Sequence, residues 1–290
     1  MIPSALHEAR LAILGLGLMG GSLALALRSS CAHLTVYDPD PEIRTLAKNM
    51  GIAKRVDGSV QQALEDANYI ILAAPVGGIL ELIQSLPNHV PDGAFILDIG
   101  STKVEICRVL RSLPPRFLPI GGHPMTGKSV AGLINADAEI FVDSVFALSV
   151  LENTSEAGIK LATELVHAIR AQPFFIDPDL HDRFVAATSH VPYLLSLALA
   201  LATPDEAQSL VGPGFRSTAR LAGSPVTMMR DVLLTNRDNI VQSLQLLIME
   251  LENLKQTLVN DDINRLVFLM KHGQKRYLEL IDGNRIDGVS

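Results

Sequence analysis

The feature that most constrains the fold is a glycine pattern inside an uncharged run near the amino terminus. Residues 11–27, LAILGLGLMGGSLALAL, contain no charged side chain. Gly15, Gly17 and Gly20 form the pattern G-x-G-x-x-G, which follows a strand-like run and precedes a helix-like one. In that setting the glycines permit a tight turn, the close approach of a pyrophosphate to the backbone, and close packing of helix on strand.

The same run also resembles a signal peptide or a short membrane span, because Arg10 precedes it and Arg28 follows it. Its 17 residues fall short of the roughly 20 that a span requires, and four of them are glycines. We therefore interpret the run as the strand, turn and helix of a nucleotide-binding unit. A glycine-rich turn with no bound ligand is the open alternative.

A carboxylate at the end of the next predicted strand indicates which dinucleotide would bind. The strand LTVYD ends at Asp38, 23 positions after Gly15, where a carboxylate accepts hydrogen bonds from the adenosine ribose. Asp38 would repel a 2'-phosphate, and the nearest cation, Arg44, lies on the following helix, so the pattern favours NAD over NADP. The predicted cofactor-binding residues are Gly15, Gly17, Leu18, Met19, Gly20, Asp38, Ala74, Pro75 and Ser101.

Strand-like runs alternate with helix-like stretches through the first half of the chain. Further runs begin at Tyr69, Ala94, Arg116 and Val145. Helical stretches lie at 41–50, 59–67, 77–86 and 102–112. Because the runs are apolar on both faces, they fit a parallel sheet covered by helices. We predict an α/β fold with a Rossmann-like, doubly wound domain over residues 1–151, whose ligands bind at the carboxyl ends of the strands.

Residues 152–290 are predicted to form an all-α dimerisation domain. A helical stretch at 155–171 and a short strand, PFFID, precede long helical patterns at 179–202, 225–260 and 262–281. Within them, Val191–Ala202 contains no Asp, Glu, Lys or Arg. A helix that is apolar nearly all round is buried on several sides, so we predict a bundle shared with a second copy of the chain. A helix buried within one monomer, or an interfacial segment, is the alternative.

Composition excludes several other classes of function. The net charge is −7, aromatic residues make up 4% and no basic block occurs, which disfavours nucleic acid as a partner. Cys31 and Cys107 lack a metal-binding spacing and fit a reducing compartment, so we expect a cytoplasmic protein without a metal. Six of the eight histidines lack a metal-binding spacing and are expected at the surface or at helix caps: His7, His33, His89, His167, His181 and His272.

His123 is the candidate catalytic residue. It lies in GGHPMTG, directly after a predicted strand and on the expected cofactor rim. An imidazole with an ordinary pKa of about 6.5 is a natural proton acceptor beside a nicotinamide that takes a hydride. Ser101, in DIGSTK at the end of the preceding strand, would reach the same place and orient the ring. A helix N-cap is its alternative role, and the two roles are compatible.

Six motifs occur together along the chain: GLGLMGGS (15–22), AAPV (73–76), DIGSTK (98–103), GGHPMTG (121–127), TSHVP (188–192) and GFRSTARLA (214–222). In order and spacing they resemble the prephenate and arogenate dehydrogenases of tyrosine biosynthesis, and the resemblance covers nearly the whole chain. The nucleotide motif is common to many dehydrogenases, whereas the GGHPM loop combined with SHxP and GFRxxxR is specific to this family.

The resemblance implies NAD-dependent oxidative decarboxylation of prephenate to 4-hydroxyphenylpyruvate, of arogenate to tyrosine, or of both. His123 matches the histidine that holds the substrate 4-hydroxyl and accepts its proton, and Ser101 matches the serine that supports it and that contacts substrate or nicotinamide. Arg220 matches the arginine that binds a substrate carboxylate, a role that its planar fork suits. Ser189 matches a substrate contact at the start of a long helix. A helical substrate-binding domain and a homodimer are also implied.

Two positions depart from several relatives. Tyr193 replaces a histidine, and Lys128 replaces a threonine, both near the substrate side chain in the implied site. Lys128 would attract a carboxylate and Tyr193 would donate a hydrogen bond, so both are candidate substrate-binding residues, and the choice between prephenate and arogenate stays open. Arg216 is expected to be structural, while His190 is expected to be a core histidine.

Two other functions are alternatives to this dehydrogenase activity. A β-hydroxyacid-type NAD(P) dehydrogenase would share the architecture but rely on a catalytic lysine of the second domain. A noncatalytic NAD-binding sensor would not need His123, Ser101 and Arg220 together. The chain ends at Ser290, soon after the last predicted helix. We therefore expect no regulatory or chorismate mutase domain, and any tyrosine inhibition to act at the active site.

Overall fold

A single sheet of eight strands organises the first part of the structure, a computed structural model that describes residues 5–128 and 130–282. The strands are β1 (Arg10–Leu14), β2 (His33–Tyr37), β3 (Arg55–Val56), β4 (Tyr69–Leu72), β5 (Phe95–Asp98), β6 (Leu118–Pro124), β7 (Val145–Ser149) and β8 (Gln172–Phe175). Their order across the sheet is β3-β2-β1-β4-β5-β6-β7-β8. The order reverses between β1 and β4, which is where a doubly wound sheet binds its ligand.

Helices alternate with these strands and then continue alone. They are α1 (Leu18–Leu27), α2 (Pro41–Asn49), α3 (Val60–Leu64), α4 (Val76–Ser85), α5 (Val104–Arg111), α6 (Glu156–Ala168), α7 (Pro178–Val185), α8 (Val191–Ala202), α9 (Pro213–Thr218), α10 (Val226–Thr235), α11 (Arg237–Val259) and α12 (Ile263–Asp282). The predicted fold class, a nucleotide-binding α/β domain followed by helices, is confirmed.

The sheet has a hydrophobic core on each face. Along β1, Leu11 and Ile13 belong to one cluster of buried side chains, and Ala12 and Leu14 belong to the other. All four are at most 1% exposed. Because successive side chains of a strand point to opposite faces, an unbroken apolar run is required wherever both faces are covered. The uncharged run after Arg10 is therefore buried strand and helix.

One edge of the sheet differs from the all-parallel prediction. β7 runs antiparallel to β6, pairing Gly121 with Ser149 and Pro124 with Phe146, and β8 is parallel to β7. This pairing extends β6 as far as Pro124, so the segment predicted as a loop around His123 is strand. Since β8 lies beyond residue 151, part of the segment predicted as helical domain joins the sheet.

Two of the predicted long helices are interrupted. A π-helical turn, Ala186–His190, separates α7 from α8. Pro192 has no N–H to bond the carbonyl four residues earlier and its ring crowds that carbonyl, which accounts for the wider turn. Asn236 ends α10 with φ −122° and ψ 25°, so the predicted helix over 225–260 is two helices.

The chain forms two compact units, one up to Ile240 and one from Val241. Within the second unit, Asp262 caps α12 by accepting a hydrogen bond from the backbone N–H of Arg265 at 2.9 Å.

By length and composition, the segment Pro178–Ala202 would suffice to cross a membrane, although core helices of soluble proteins pass the same test.

A buried ion pair lies at the carboxyl end of β5. The Lys103 ammonium contacts the Asp98 carboxylate, and both side chains are fully buried. Lys103 Nζ also donates to the carbonyl of Gly122 at 2.7 Å. Burial raises the pKa of Asp98, an effect that Lys103 and the backbone N–H groups of Gly100 and Gly122 oppose. Such a pair is costly to break, because the remaining charge is left buried without a partner.

We therefore expect Lys103→Met to lower the free energy of unfolding by about 3–5 kcal/mol. Chemical denaturation of the full chain measures this, with Lys160→Met on the exposed Lys160 as the matched control. Adding Asp98→Asn should recover part of the loss, because a neutral amide is cheaper to bury. Equal stabilities for the Lys103 and Lys160 variants would contradict a structural role for the pair.

Candidate active site

The glycine-rich turn leaves no room for side chains at two of its three glycines. Gly15 has φ +105°, and a Cβ there would lie 2.5 Å from the carbonyl oxygen of Ala73. A Cβ on Gly20 would lie 2.0 Å from the carbonyl oxygen of Gly15. Gly17 differs, because nothing lies within 4 Å of its Cβ position. The turn thus packs β1 tightly against α1 and keeps an open space beside Gly17, where the second glycine of such a motif admits a pyrophosphate.

Asp38 connects this turn to the end of β2. Its Oδ2 accepts a hydrogen bond from the Leu16 N–H at 2.8 Å, and its Oδ1 accepts one from the Asp40 N–H at 3.0 Å. Each carboxylate oxygen can accept a second bond, which suits ribose hydroxyls. Arg44 donates from Nη1 to the carbonyls of Asp38 and Pro39. These residues fit the adenosine end of a dinucleotide with free ribose hydroxyls.

Asp98 draws together the two segments that carry the predicted catalytic residues. Its carboxylate accepts hydrogen bonds from the Gly100 N–H at 2.8 Å and from the Gly122 N–H at 3.2 Å. Gly100 directly precedes Ser101, and Gly122 directly precedes His123. Cβ atoms at these glycines would clash as well, the one on Gly122 at 2.6 Å from the carbonyl oxygen of Asp98. The backbone at both predicted catalytic positions is therefore fixed by one buried carboxylate.

His123 is held in a chain of side-chain contacts. Its Nδ1 lies 2.9 Å from Nε2 of His181, and Nδ1 of His181 lies 2.8 Å from Oδ1 of Asp182. His181 and Asp182 are buried on α7, whereas His123 is half-buried on β6. The expectation that His181 lies at the surface or at a cap is wrong, since it is the direct partner of the predicted catalytic histidine.

The carboxylate of Asp182 also caps α5. It accepts hydrogen bonds from the backbone N–H of Lys103 at 2.7 Å and of Val104 at 2.9 Å. The N-cap residue of α5 is Lys103, which makes no side-chain cap of its own. The alternative role of Ser101 as helix N-cap is therefore wrong, because a distant carboxylate already satisfies the N–H groups at this helix start.

The surroundings of His123 favour its neutral form. Desolvation lowers the pKa of His123 well below its ordinary value, and the nearby His181, Lys103 and His190 add to the effect. Burial likewise lowers the pKa of His190 to about 4. His190 is buried and contacts Asn236 at 3.2 Å, as expected for a core histidine. His123 is thus an unprotonated imidazole at neutral pH, able to accept a proton.

Residues of α10 and its C-cap contact the segments around the site, and these contacts were not predicted from the sequence. Asn236 donates from Nδ2 to the carbonyl of Asp182 at 2.6 Å. The hydroxyls of Thr235 and Thr102 lie 2.9 Å apart, and Asp231 accepts a hydrogen bond from the Gly77 N–H at the start of α4 at 3.1 Å. A buried Asn at the end of a helix was the available signal, because a buried amide needs partners.

Three of the four predicted substrate-binding residues, Ser189, Tyr193 and Arg220, lie on or beside α8. Ser189 is exposed in the π-helical turn, and Tyr193 is buried against Met229 and Val232 of α10. Ser196, also missed in the sequence, donates to the carbonyl of Thr218 at 2.7 Å and so fixes α8 to the segment before Arg220. This hydroxyl positions the turn that carries the predicted substrate-binding arginine.

Arg220 begins a short helical turn, Arg220–Gly223, and is exposed. Within residues 5–128 and 130–282, neither Arg220 nor Arg216 forms an ion pair, and neither side chain forms a hydrogen bond with His123, His181 or His190. Lys128 differs, since its ammonium bonds Asp137 at 3.0 Å and the carbonyl of Asn135 at 3.2 Å. A direct substrate contact by Lys128 would therefore compete with Asp137.

A cavity of about 720 Å³ lies elsewhere, at the amino ends of β1 and β2. Its basic lining residues are Arg10, Arg28, His33, Lys54 and Arg55. None of the predicted site residues lines it, and ligands of doubly wound sheets bind at the opposite, carboxyl ends of the strands. Across the described part of the chain, no cluster of three His, Cys, Asp or Glu is arranged to hold a metal ion.

Two family models match the sequence. The one described as prephenate dehydrogenase, nucleotide-binding domain, matches residues 23–174. The one described as prephenate dehydrogenase, dimerization domain, matches residues 177–272. The match between 23 and 174 runs from within α1 to within β8, and the second match begins just before α7.

Individual relatives align along most of the chain. Prephenate dehydrogenase of Lactococcus lactis subsp. cremoris is 28% identical over 278 residues, covering 92% of this chain and 76% of that protein. Cyclohexadienyl dehydrogenase of Zymomonas mobilis is 26% identical and covers 93% and 95%. The crystal structure of prephenate dehydrogenase from Aquifex aeolicus, in complex with hydroxyphenyl propionate and NAD+, superimposes with a TM-score of 0.85 at 26% identity, covering 93% of this chain and 97% of that one. With both family models matched in order along one chain, this protein belongs to the prephenate dehydrogenase family.

Proposed function

We propose that this chain catalyses the NAD-dependent oxidative decarboxylation of prephenate, of arogenate or of both, with His123 as the residue that accepts the substrate proton. The observation that carries the proposal is the position of His123: a neutral imidazole on β6, held by buried partners and adjacent to the carboxyl ends of the strands. That placement brings a base to the rim where a dinucleotide binds in this fold.

The residues at the switch between β1 and β4 suit NAD. The open space at Gly17, the N–H groups of Leu18, Met19 and Gly20 at the start of α1, and the acceptors of Asp38 match pyrophosphate and ribose. Ala74 and Pro75, which join β4 to α4, complete the rim with Ser101. When bound, NAD supplies a nicotinamide that accepts a hydride from the substrate ring.

The catalytic residues divide the remaining work. We assign to His123 the hydrogen bond to the substrate 4-hydroxyl and the removal of its proton. Ser101, half-buried next to the fixed Gly100, orients the same hydroxyl. Desolvation keeps His123 unprotonated until the pH falls through its lowered pKa, so the base is available at neutral pH.

The substrate carboxylates require a cation, since the chain carries a net charge of −7. We assign this role to Arg220, whose guanidinium is exposed and has no ion-pair partner within the described residues. Ser189 and Tyr193 are the proposed contacts on the π-helical turn and on α8. Lys128 would join them only by sharing its ammonium with Asp137.

We also propose that two copies of the chain form a dimer through the C-terminal helices, in the cytoplasm. The match of residues 177–272 to a dimerization domain supports the dimer. So do exposed apolar residues, such as Leu201 on α8, Leu246 on α11 and Phe268 on α12, at 79%, 65% and 57% exposure. A reducing compartment suits the free thiols of Cys31 and Cys107.

Replacement of His123 by Asn is expected to lower kcat at least about 100-fold, because the amide cannot accept the substrate proton. NAD affinity, measured by calorimetry, should be nearly unchanged. Reduction of NAD and of NADP is followed with prephenate and arogenate in parallel, with His167→Asn on the exposed His167 as the matched control. Turnover of neither substrate by the unaltered protein would refute the proposed function, and an active His123→Asn variant would remove the histidine from its role.

Alanine substitutions at two glycines separate cofactor binding from folding. Gly17→Ala should fold normally, because its Cβ meets no atom and its φ of −71° suits alanine, yet it should weaken NAD binding at least about 10-fold by filling the pyrophosphate space. Gly20→Ala should instead lower the free energy of unfolding by ~1–3 kcal/mol through overpacking. Calorimetric titration and denaturation measure the two effects. Full NAD affinity in Gly17→Ala would place the pyrophosphate elsewhere.

Arg220→Ala is expected to raise the KM for the substrate about 10- to 100-fold, in line with ~1.5–3 kcal/mol for a charged hydrogen bond. The KM for NAD should change little. Arg216→Ala is the matched control, as the other exposed arginine of the same motif. A larger effect of the Arg216 variant would reverse the assignment of the two residues.

A further inference from the structure

We infer that His181 and Asp182 hold His123 in one tautomer, with hydrogen on Nδ1 and the free electron pair on Nε2, so that Nε2 is the atom that accepts the substrate proton. This inference rests on the proposed function and adds two positioning residues to it. Neither of them needs to touch the substrate.

The direction of the hydrogen bonds follows from Asp182. An ionised carboxylate can only accept, and this one already accepts from the N–H groups of Lys103 and Val104. Its contact with His181 Nδ1 at 2.8 Å therefore requires a hydrogen on that nitrogen. A neutral imidazole with hydrogen on Nδ1 has an acceptor at Nε2. The 2.9 Å contact from His181 Nε2 then needs the hydrogen of His123 Nδ1.

The N-terminus of α5 stabilises the Asp182 carboxylate and so fixes this chain of hydrogen bonds. The N-terminus of a helix carries partial positive charge, which favours an anion at the position of Asp182. Both His181 and Asp182 are at most 2% exposed, so water does not compete for their hydrogen bonds. Asn236 also donates to the Asp182 carbonyl at 2.6 Å, which holds the backbone at this point. With these atoms fixed, His123 has one orientation and one tautomer.

The proton transfer itself needs only one bond exchange. The O–H bond of the substrate breaks, an N–H bond forms at His123 Nε2, and the electron pair stays on the substrate oxygen. The resulting imidazolium keeps its Nδ1–H bond to His181. No proton moves on to His181 or Asp182, which act by orientation and by stabilising the positive charge.

Two substitutions at position 181 test the inference. A glutamine amide reaches about as far as Nε2 of histidine, and an asparagine amide about as far as Nδ1. His181→Gln therefore keeps an acceptor for His123 Nδ1–H and loses the bond to Asp182. His181→Asn keeps a donor for Asp182 and loses the contact with His123. The two variants thus separate the contact that sets the tautomer from the contact that anchors α7.

The expected result is a kcat about 10- to 100-fold lower in His181→Asn, with an unchanged KM for NAD, and a smaller loss of kcat in His181→Gln, which keeps the acceptor for His123 but not the bond to Asp182. His167→Asn is the matched control, because His167 is exposed and outside the site. Equal losses in both variants, no loss in His181→Asn, or a greater loss in His181→Gln would each overturn the inference.

A measurement without turnover separates this inference from the proposed function. Long-range ¹H–¹⁵N correlation spectra of the ¹⁵N-histidine-labelled full chain distinguish the two tautomers, and the His123 signals are assigned by their absence in His123→Asn. We expect Nδ1–H for His123, and a mixture of tautomers in His181→Asn. An Nε2–H form in the unaltered protein would overturn the inference. Inactivity toward both substrates would refute the proposed function, while the spectra would still decide the tautomer.

Discussion

The buried carboxylate of Asp182 is the interaction on which the rest of the site depends. It accepts hydrogen bonds from two backbone N–H groups at the start of α5, and its Oδ1 contacts Nδ1 of the His181 ring. α5 belongs to the sheet-forming part of the chain, and α7 is the first helix after β8. A buried anion without partners would be costly, so folding is favoured only when both segments reach it together. The same contact that joins helix to sheet therefore also positions His123, the proposed base.

Lys103 links this carboxylate to a second one. Its backbone N–H donates to Asp182, and its side-chain ammonium donates to Asp98 and to the carbonyl of Gly122. Asp98 in turn holds the N–H groups of Gly100 and Gly122. One residue thus spans two buried anions, and the segments before and after it carry Ser101 and α5. The backbone next to His123 is therefore held by two buried side chains, because Gly122 donates its N–H to Asp98 and accepts from the Lys103 ammonium at its carbonyl.

Local geometry explains what the sequence could predict. The turn at Gly15 and the carboxylate of Asp38 depend on one strand, one turn and one helix, so spacing alone indicates them. His181 was missed because its partner, His123, lies 58 residues earlier in the chain. A signal did exist in α7, where the buried residues are Pro178, His181, Asp182 and Val185, at helical spacing, while Leu180 and Phe184 are exposed. If the buried face of α7 is assigned from its large apolar residues, Leu180 and Phe184 are wrongly placed in the core. The helical spacing of the buried residues instead places the polar pair His181 and Asp182 there.

The distribution of charge follows from the two tasks of the site. The proposed base, His123, must stay neutral, yet a carboxylate-bearing substrate must be attracted by a chain of net charge −7. Lys103, which contributes to the lowered pKa of His123, is buried and paired with Asp98, so it helps to keep His123 unprotonated without presenting an ammonium to solvent. Arg220 is exposed and unpaired within the described residues, and Ser196 fixes the segment before it. Separate placement of the two cations lets one tune the base while the other stays available to bind an anion.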